Sequence, residues 1–164
     1  MTSGETHGTK DRGRGFTLIE LVVTISIIAI LAAVALPRFI TLQTQARIAK
    51  TQALYGGLRS ASVLAHAQAI ATNTVTTGPA IISMEAQNVT LINGYPTSDL
   101  AGIQTALQIS NLTEDVTITP GGAAAGATFI VAVNGGTVPN CQVTYTSPIV
   151  GGGSPLISLT TTGC

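Results

Sequence analysis

A carboxylate inside an apolar helix is the first place in this chain where residue type and position demand chemistry. Glu20 stands just inside the leading edge of a run from Phe16 to Leu36 that is otherwise almost unbroken in apolar residues. As helix, residues 16–36 extend about 31 Å, which matches a hydrocarbon core of roughly 30 Å. An acidic side chain at the bilayer centre costs on the order of 2.5 to 3.5 kcal/mol on insertion scales, and less near the interface, so such residues mark partners or function. Glu20 is therefore expected to meet a counter-charge. The other reactive side chains are sparse: two cysteines, Cys141 and Cys164, and two histidines, His7 and His66.

These residues do not assemble into an enzyme. The sequence offers no Ser/His/Asp or Cys/His arrangement, and His66 lies in an Ala-rich stretch where packing or surface exposure accounts for it better than catalysis. Two cysteines with two distant histidines lack zinc-ligand spacing, so neither a metal nor another cofactor is expected. The glycine-rich run from Gly121 to Gly126 is not followed by the Lys-Ser/Thr of a phosphate loop, and turn chemistry explains it.

The elements that must position Glu20 follow from the flanks of the apolar run. Lys10, Arg12, Arg14 and Gly15 precede it, whereas a secretory signal would place its small-residue cleavage site after a shorter apolar core and lose that core. The hydrophobic segment therefore stays in the chain, and the basic flank biases its N-terminal end toward the cytoplasm. The bulk of the chain then lies outside. In that setting an intramolecular disulfide between Cys141 and Cys164 is the default, pinning the end of this sequence to the body of the protein.

Gly15-Phe16-Thr17-Leu18-Ile19-Glu20 resembles the class III signal of type IV pilins and related pseudopilins. The resemblance implies that a prepilin peptidase cuts between Gly15 and Phe16, removes a leader of residues 1–15, and N-methylates Phe16. In that family a glutamate follows the new N-terminal phenylalanine at the spacing of Glu20, and a proline further along the helix at the spacing of Pro37. Cleavage would create an α-amino cation near Glu20. Packing of such helices lets the carboxylate of one subunit meet the amine of another and set axial register. A C-terminal disulfide loop is also common in the family. Gly94-Tyr95-Pro96, the stretch Cys141 to Thr146, and Gly163-Cys164 look most like the mannose-sensitive haemagglutinin branch.

Beyond residue 36, residues 37–71 read as an amphipathic continuation of the helix, with Phe39, Leu42, Ala46, Ala49 and Ala53 recurring at helical spacing. Pro37 predicts a bend or a locally weak stretch. Gly56-Gly57 predicts a second bend or close packing against the rest of the protein. Residues 72–164 form a head of different composition. Thr72 to Ala80 reads as a loop, Val89 to Ile92 as a short extended piece, Gly94-Tyr95-Pro96 as a turn, and Ser98 or Asp99 as the cap of a short helix ending at Ile109. Strand-like runs follow at Val116–Thr119, Thr128–Val133, Gln142–Thr146 and Leu156–Thr161, separated by glycine-rich turns. The fold class expected is α+β, a long N-terminal helix with a small antiparallel sheet packed on its C-terminal half, the type IV pilin fold.

Charge separates stalk from head. After the leader the cations are Arg38, Arg47, Lys50 and Arg59, all on the helix, and no Lys or Arg follows Arg59. A nucleic-acid face needs clustered cations, so none is expected on the head. The asymmetry suggests attraction between the head of one subunit and Arg47 and Lys50 of a neighbour.

The resemblance implies a structural subunit of a type IV pilus, a homo-oligomeric helical filament, with adhesion, motility or DNA uptake as family-level roles. Its implied partners are the prepilin peptidase/N-methyltransferase and the inner-membrane assembly machinery. The precursor would sit in the inner membrane as a single-pass protein, N-terminus cytoplasmic and head periplasmic, and the assembled pilus outside the cell. The alternative is a pseudopilin of a type II secretion system. Major pseudopilins often carry an Asp-Pro-Trp-Gly stretch and an acid-rich calcium loop, whereas this chain has no Trp and only one adjacent acidic pair, Glu114-Asp115.

Overall fold

A computed structural model describes residues 15–75, 77–109 and 115–164. The leader before Gly15, with His7 and the basic flank, and Glu114 lie outside the described residues. The chain divides into two compact units at Thr41/Leu42. The first is the apolar part of helix α1, which runs without interruption from Leu18 to Ala71. Pro37 lies inside that helix and contributes no backbone donor, so it interrupts one rung of hydrogen bonding but not the helical assignment.

The second unit wraps two antiparallel sheets around the later turns of α1. Strands β1 (Ala80–Met84), β2 (Gln87–Ile92) and β3 (Tyr95–Pro96) form one sheet in that order. A π-helical turn, Leu100–Gln104, leads into a short helix α2 (Thr105–Leu107). Strands β4 (Val116–Thr119), β5 (Thr128–Val133), β6 (Gln142–Thr146) and β7 (Leu156–Thr160) form the second sheet, also in sequence order. Alternation along these strands makes the core. Register pairs Phe129 with Tyr145 and Val131 with Val143, and all four are fully buried, while Thr144 and Thr146 are only partly covered.

Helix α1 meets this core through Thr51, Leu58, Ala61, Ser62, Ala65 and Ala69, a stripe at three- and four-residue spacing. Leu58 enters the cluster of Ile103, Val116, Phe129, Val131 and Tyr145. Ala65 and Ala69 let the three-stranded sheet approach closely enough for Ile82, Val89 and Leu91 to pack on them. The stripe expected from sequence is a different one: Phe39, Leu42, Ala46, Ala49 and Ala53 are all exposed. Thr51 and Ser62 occupy core positions because their hydroxyls are small, and counting only apolar residues misplaces the face. Gly57 matches the close-packing expectation, since a Cβ there would lie 3.1 Å from Leu107 Cδ1.

Two strands are additional to the sequence reading. Ala80–Met84 lies mostly beyond the stretch read as loop, and Tyr95–Pro96 is a strand rather than a turn. The turn sits one step earlier at Asn93-Gly94, both with positive φ, as an Asn-Gly hairpin requires. Pro96 is tolerated because β3 is an edge strand. Asp99 caps the following turn as expected, its Oδ1 accepting the Gly102 amide at 2.8 Å. At Gly121 a Cβ would fall 2.1 Å from the Thr128 carbonyl oxygen, so this glycine is required by backbone approach.

The position of the core stripe predicts that Leu58→Ala lowers the unfolding free energy of the head by about 2 to 5 kcal/mol. Leu42→Ala should change it by less than about 0.5 kcal/mol. Denaturant titration of both variants checks the assignment, and equal losses would contradict it.

Candidate functional site

Gly15, Phe16 and Thr17 precede the first turn of α1. Thr17-Leu18-Ile19-Glu20 forms a capping box there. Glu20 Oε2 accepts from the Thr17 amide at 2.9 Å and from the Thr17 hydroxyl at 2.7 Å, and the Glu20 amide donates back to Thr17 Oγ1 at 3.3 Å. Thr17 and Glu20 stand at the three-residue spacing that marks such a box in a sequence. Its effect is to fold the carboxylate back onto the start of the helix, where negative charge also complements the helix dipole. Within its own chain Glu20 is therefore paired by hydrogen bonds and by no cation among the described residues.

Around that carboxylate the helix surface is apolar. Large side chains from Phe16 to Leu42 range from 46% exposed at Val22 to 80% at Phe16. Among the described residues α1 is the helix long and apolar enough to cross a membrane, and its most apolar stretch is entirely unburied. Its few hydroxyls are satisfied internally. Thr24 Oγ1 donates to the Glu20 carbonyl at 2.6 Å, Ser26 Oγ to Val22 at 2.7 Å and Thr41 Oγ1 to Pro37 at 3.1 Å. Apart from the capping-box carboxylate, residues 16–36 can enter lipid or a packed protein interior with their side-chain hydroxyls hydrogen-bonded, and the cation Arg38 lies beyond that stretch.

At the other end, Cys141 and Cys164 form the disulfide expected from sequence. Their sulfurs lie 3.6 and 3.5 Å from Thr51 Oγ1 on α1. One turn earlier Arg47 Nε donates to the main-chain oxygen of Cys164 at 2.5 Å. Lys50 Nζ pairs with Asp115 Oδ2 at 2.9 Å. Arg47 and Lys50 thus hold the head of their own chain. Their positions on the head-facing side of the helix put these partners within reach.

The aromatics are structural. Tyr145 is fully buried and its hydroxyl donates to the Pro96 carbonyl at 2.7 Å, joining the two sheets. Burial pushes its phenol well above the usual value, so it stays protonated. His66 stacks on Tyr95 with ring centroids 4.1 Å apart, and its Nδ1 meets the Gly94 carbonyl at 2.7 Å, the packing role expected of it. Among the described residues no three His, Cys, Asp or Glu side chains come together as metal ligands.

The family model described as the prokaryotic N-terminal methylation motif matches residues 10–36. The chain is 50% identical over 58 residues to the type IV narrow pilus major component PilA5 of Thermus thermophilus, an alignment covering 35% of this chain and 50% of that one. It is 51% identical over 53 residues to the type IV major pilin protein PilA of Myxococcus xanthus, covering 30% of this chain and 24% of the other. A fimbrial protein of Neisseria meningitidis serogroup B is 36% identical over 94 residues, 54% of this chain and 55% of the relative. The matches thus span about half the length of the first and third relatives and about a quarter of the second. No solved structure gives a significant match. An apolar helix bearing the methylation motif and carrying a small antiparallel β head makes this chain similar to type IV pilins.

The disulfide closes a loop between residues 23 apart in sequence. Loop entropy predicts that Cys164→Ser destabilises the head by about 3 to 4 kcal/mol. Unfolding of the variant against the oxidised wild type measures the difference, and equal stability would mean the bridge constrains nothing.

Proposed function

We propose that this chain is a repeating structural subunit of a type IV pilus. The observation that carries the reading is the uncovered apolar helix from Phe16 to Leu42 with a carboxylate folded into its first turn. Such a surface needs lipid before assembly and protein after it. In this reading the prepilin peptidase/N-methyltransferase cuts between Gly15 and Phe16, removes residues 1–15, and methylates the new amine. Residues 16–36 hold the precursor in the inner membrane with the head, residues 72–164, in the periplasm. The inner-membrane assembly machinery then adds the subunit to a homo-oligomeric helical filament outside the cell. Residues 37–71, with Pro37, continue the stalk as the surface on which the head folds. The named relatives are pilus and fimbrial proteins, which favours a pilus over a secretion pseudopilin. Adhesion, motility and DNA uptake are the family-level roles open to such a filament.

The capping box gives Glu20 a defined place in this scheme. Its carboxylate is already turned toward the N-terminal end, so a newly made α-amine in a packed bundle finds an anion held in position. In a water-poor helix bundle, an amine without that anion is strongly penalised. Within the family the short head stretches Gly94-Tyr95-Pro96, Cys141–Thr146 and Gly163-Cys164 support the mannose-sensitive haemagglutinin branch.

Glu20→Ala should be inserted and cleaved normally yet give roughly tenfold fewer surface filaments, the effect of losing a desolvated charge pair. Gly15→Ala should still be cleaved, whereas Gly15→Leu should leave the full-length precursor in the membrane. Electrophoretic size and the yield of sheared filaments measure both. Normal filaments from processed Glu20→Ala protein would remove the register role, and efficient cleavage of Gly15→Leu would remove the processing site.

A further inference from the structure

The chain has no Lys or Arg after Arg59, so a head carboxylate can be neutralised only by a cation of the stalk or by another molecule. Two stalk cations are already engaged within the chain, Lys50 with Asp115 and Arg47 with the main-chain oxygen of Cys164. Asp99 is used as an acceptor for the Thr97 hydroxyl and the Gly102 amide. Glu85 remains. Its carboxylate accepts from the Gln108 side chain, and among the described residues no cation lies within ion-pair distance of it. Arg59 is the complementary case, an exposed cation of the head-bearing part of α1 that forms no ion pair among the described residues.

The surroundings of these two residues also complement each other. Glu85 sits at the tip of the β1–β2 hairpin, where Glu85 and Ala86 both adopt positive φ, of 48° and 63°. Such a turn favours Gly or Asn, so a glutamate here holds a charge at the hairpin tip against local preference. Strand β1 is an outer strand of its sheet, and its Ile81 is 61% exposed. On α1, Arg59 borders a shallow groove formed with Gly56, Ser60, Val63, Leu64 and Ala67, in which Val63 and Leu64 are about 60% exposed.

We propose that the outer edge of β1 in one copy docks on the exposed side of α1 in the next, with Glu85 on Arg59 and Ile81 against Leu64 and Ala67. The spacing agrees. From Ile81 to Glu85 an extended strand covers about 13 Å, and from Arg59 to Ala67 a helix rises about 12 Å. The guanidinium can take the carboxylate through two parallel hydrogen bonds. Because the two patches differ, the contact is heterologous, and its repetition builds an open helical array rather than a closed dimer. The inference rests on the filament proposed above and names one contact that orients its heads.

The test uses the full chain in cells that display it, with sheared filament yield as readout. Arg59→Glu and Glu85→Arg should each lower the yield by about fivefold, and the double variant Arg59→Glu/Glu85→Arg should return it to near the wild-type level. Single variants that assemble like wild type would overturn the contact. So would a double variant no better than either single one. If a charge variant fails to accumulate in the membrane, cysteine cross-linking decides: co-expressed Arg59→Cys and Glu85→Cys subunits should form covalent dimers under mild oxidation, and neither variant should do so alone. Filaments that contain both variants without such dimers would overturn it. Absence of filaments from the wild type would remove the pilus reading and this contact with it, whereas filaments indifferent to these charges would remove the contact alone.

Discussion

Everything in this protein depends on an apolar helical surface that its own chain leaves uncovered. From Phe16 to Leu42 the large side chains of α1 are exposed. At about 25 cal/mol per Å² of apolar area, even a fraction of that surface left in water outweighs the few kcal/mol by which small domains are stable. The segment must therefore be covered by lipid or by other protein. The internally bonded hydroxyls of Thr24, Ser26 and Thr41 fit that requirement, and within residues 16–36 the capping box of Thr17 and Glu20 confines the charged group to the first turn, Arg38 standing beyond them.

The same helix changes role within its length. Past Leu42 it becomes the spine of a head, with Leu58 in one cluster and the small residues Ala65 and Ala69 under a second sheet. Its inner side then needs little from any partner. The head is secured at both extremes of the shared stretch: Arg47, Thr51 and the disulfide at one end, His66 stacked on Tyr95 at the other. Arg47 and Lys50 are bound to the head of their own chain, which leaves Arg38 and Arg59 as the helix cations without an ion pair among the described residues. That scarcity makes Arg59 and Glu85 informative.

Much of this was legible in the sequence, for reasons that differ by element. Val116–Thr119, Thr128–Val133 and Gln142–Thr146 were recognisable as strands because β-branched and aromatic residues dominate them between glycine-rich turns, and the structure has those bounds. The last strand ends at Thr160, one residue short of the run read from the sequence. The Cys141–Cys164 bridge followed from there being two cysteines and a head expected outside the cytoplasm. What escaped was set by tertiary context. The helix stripe was misplaced because Thr51 and Ser62 count as core, and β1 was missed because Ala80–Met84 becomes a strand only when β2 pairs with it. The Asn93-Gly94 turn and the Thr17–Glu20 box carried local signals that pattern reading alone could have used.

The measurement that tests the central claim most directly is intact mass, with negative-stain microscopy, on material sheared from the surface of cells that make this protein. The account predicts long filaments whose subunit begins at N-methylated Phe16 and is lighter by the two hydrogens of the Cys141–Cys164 bridge. Processed protein confined to the cell envelope without surface fibres, or filaments whose subunit retains residues 1–15, would contradict it.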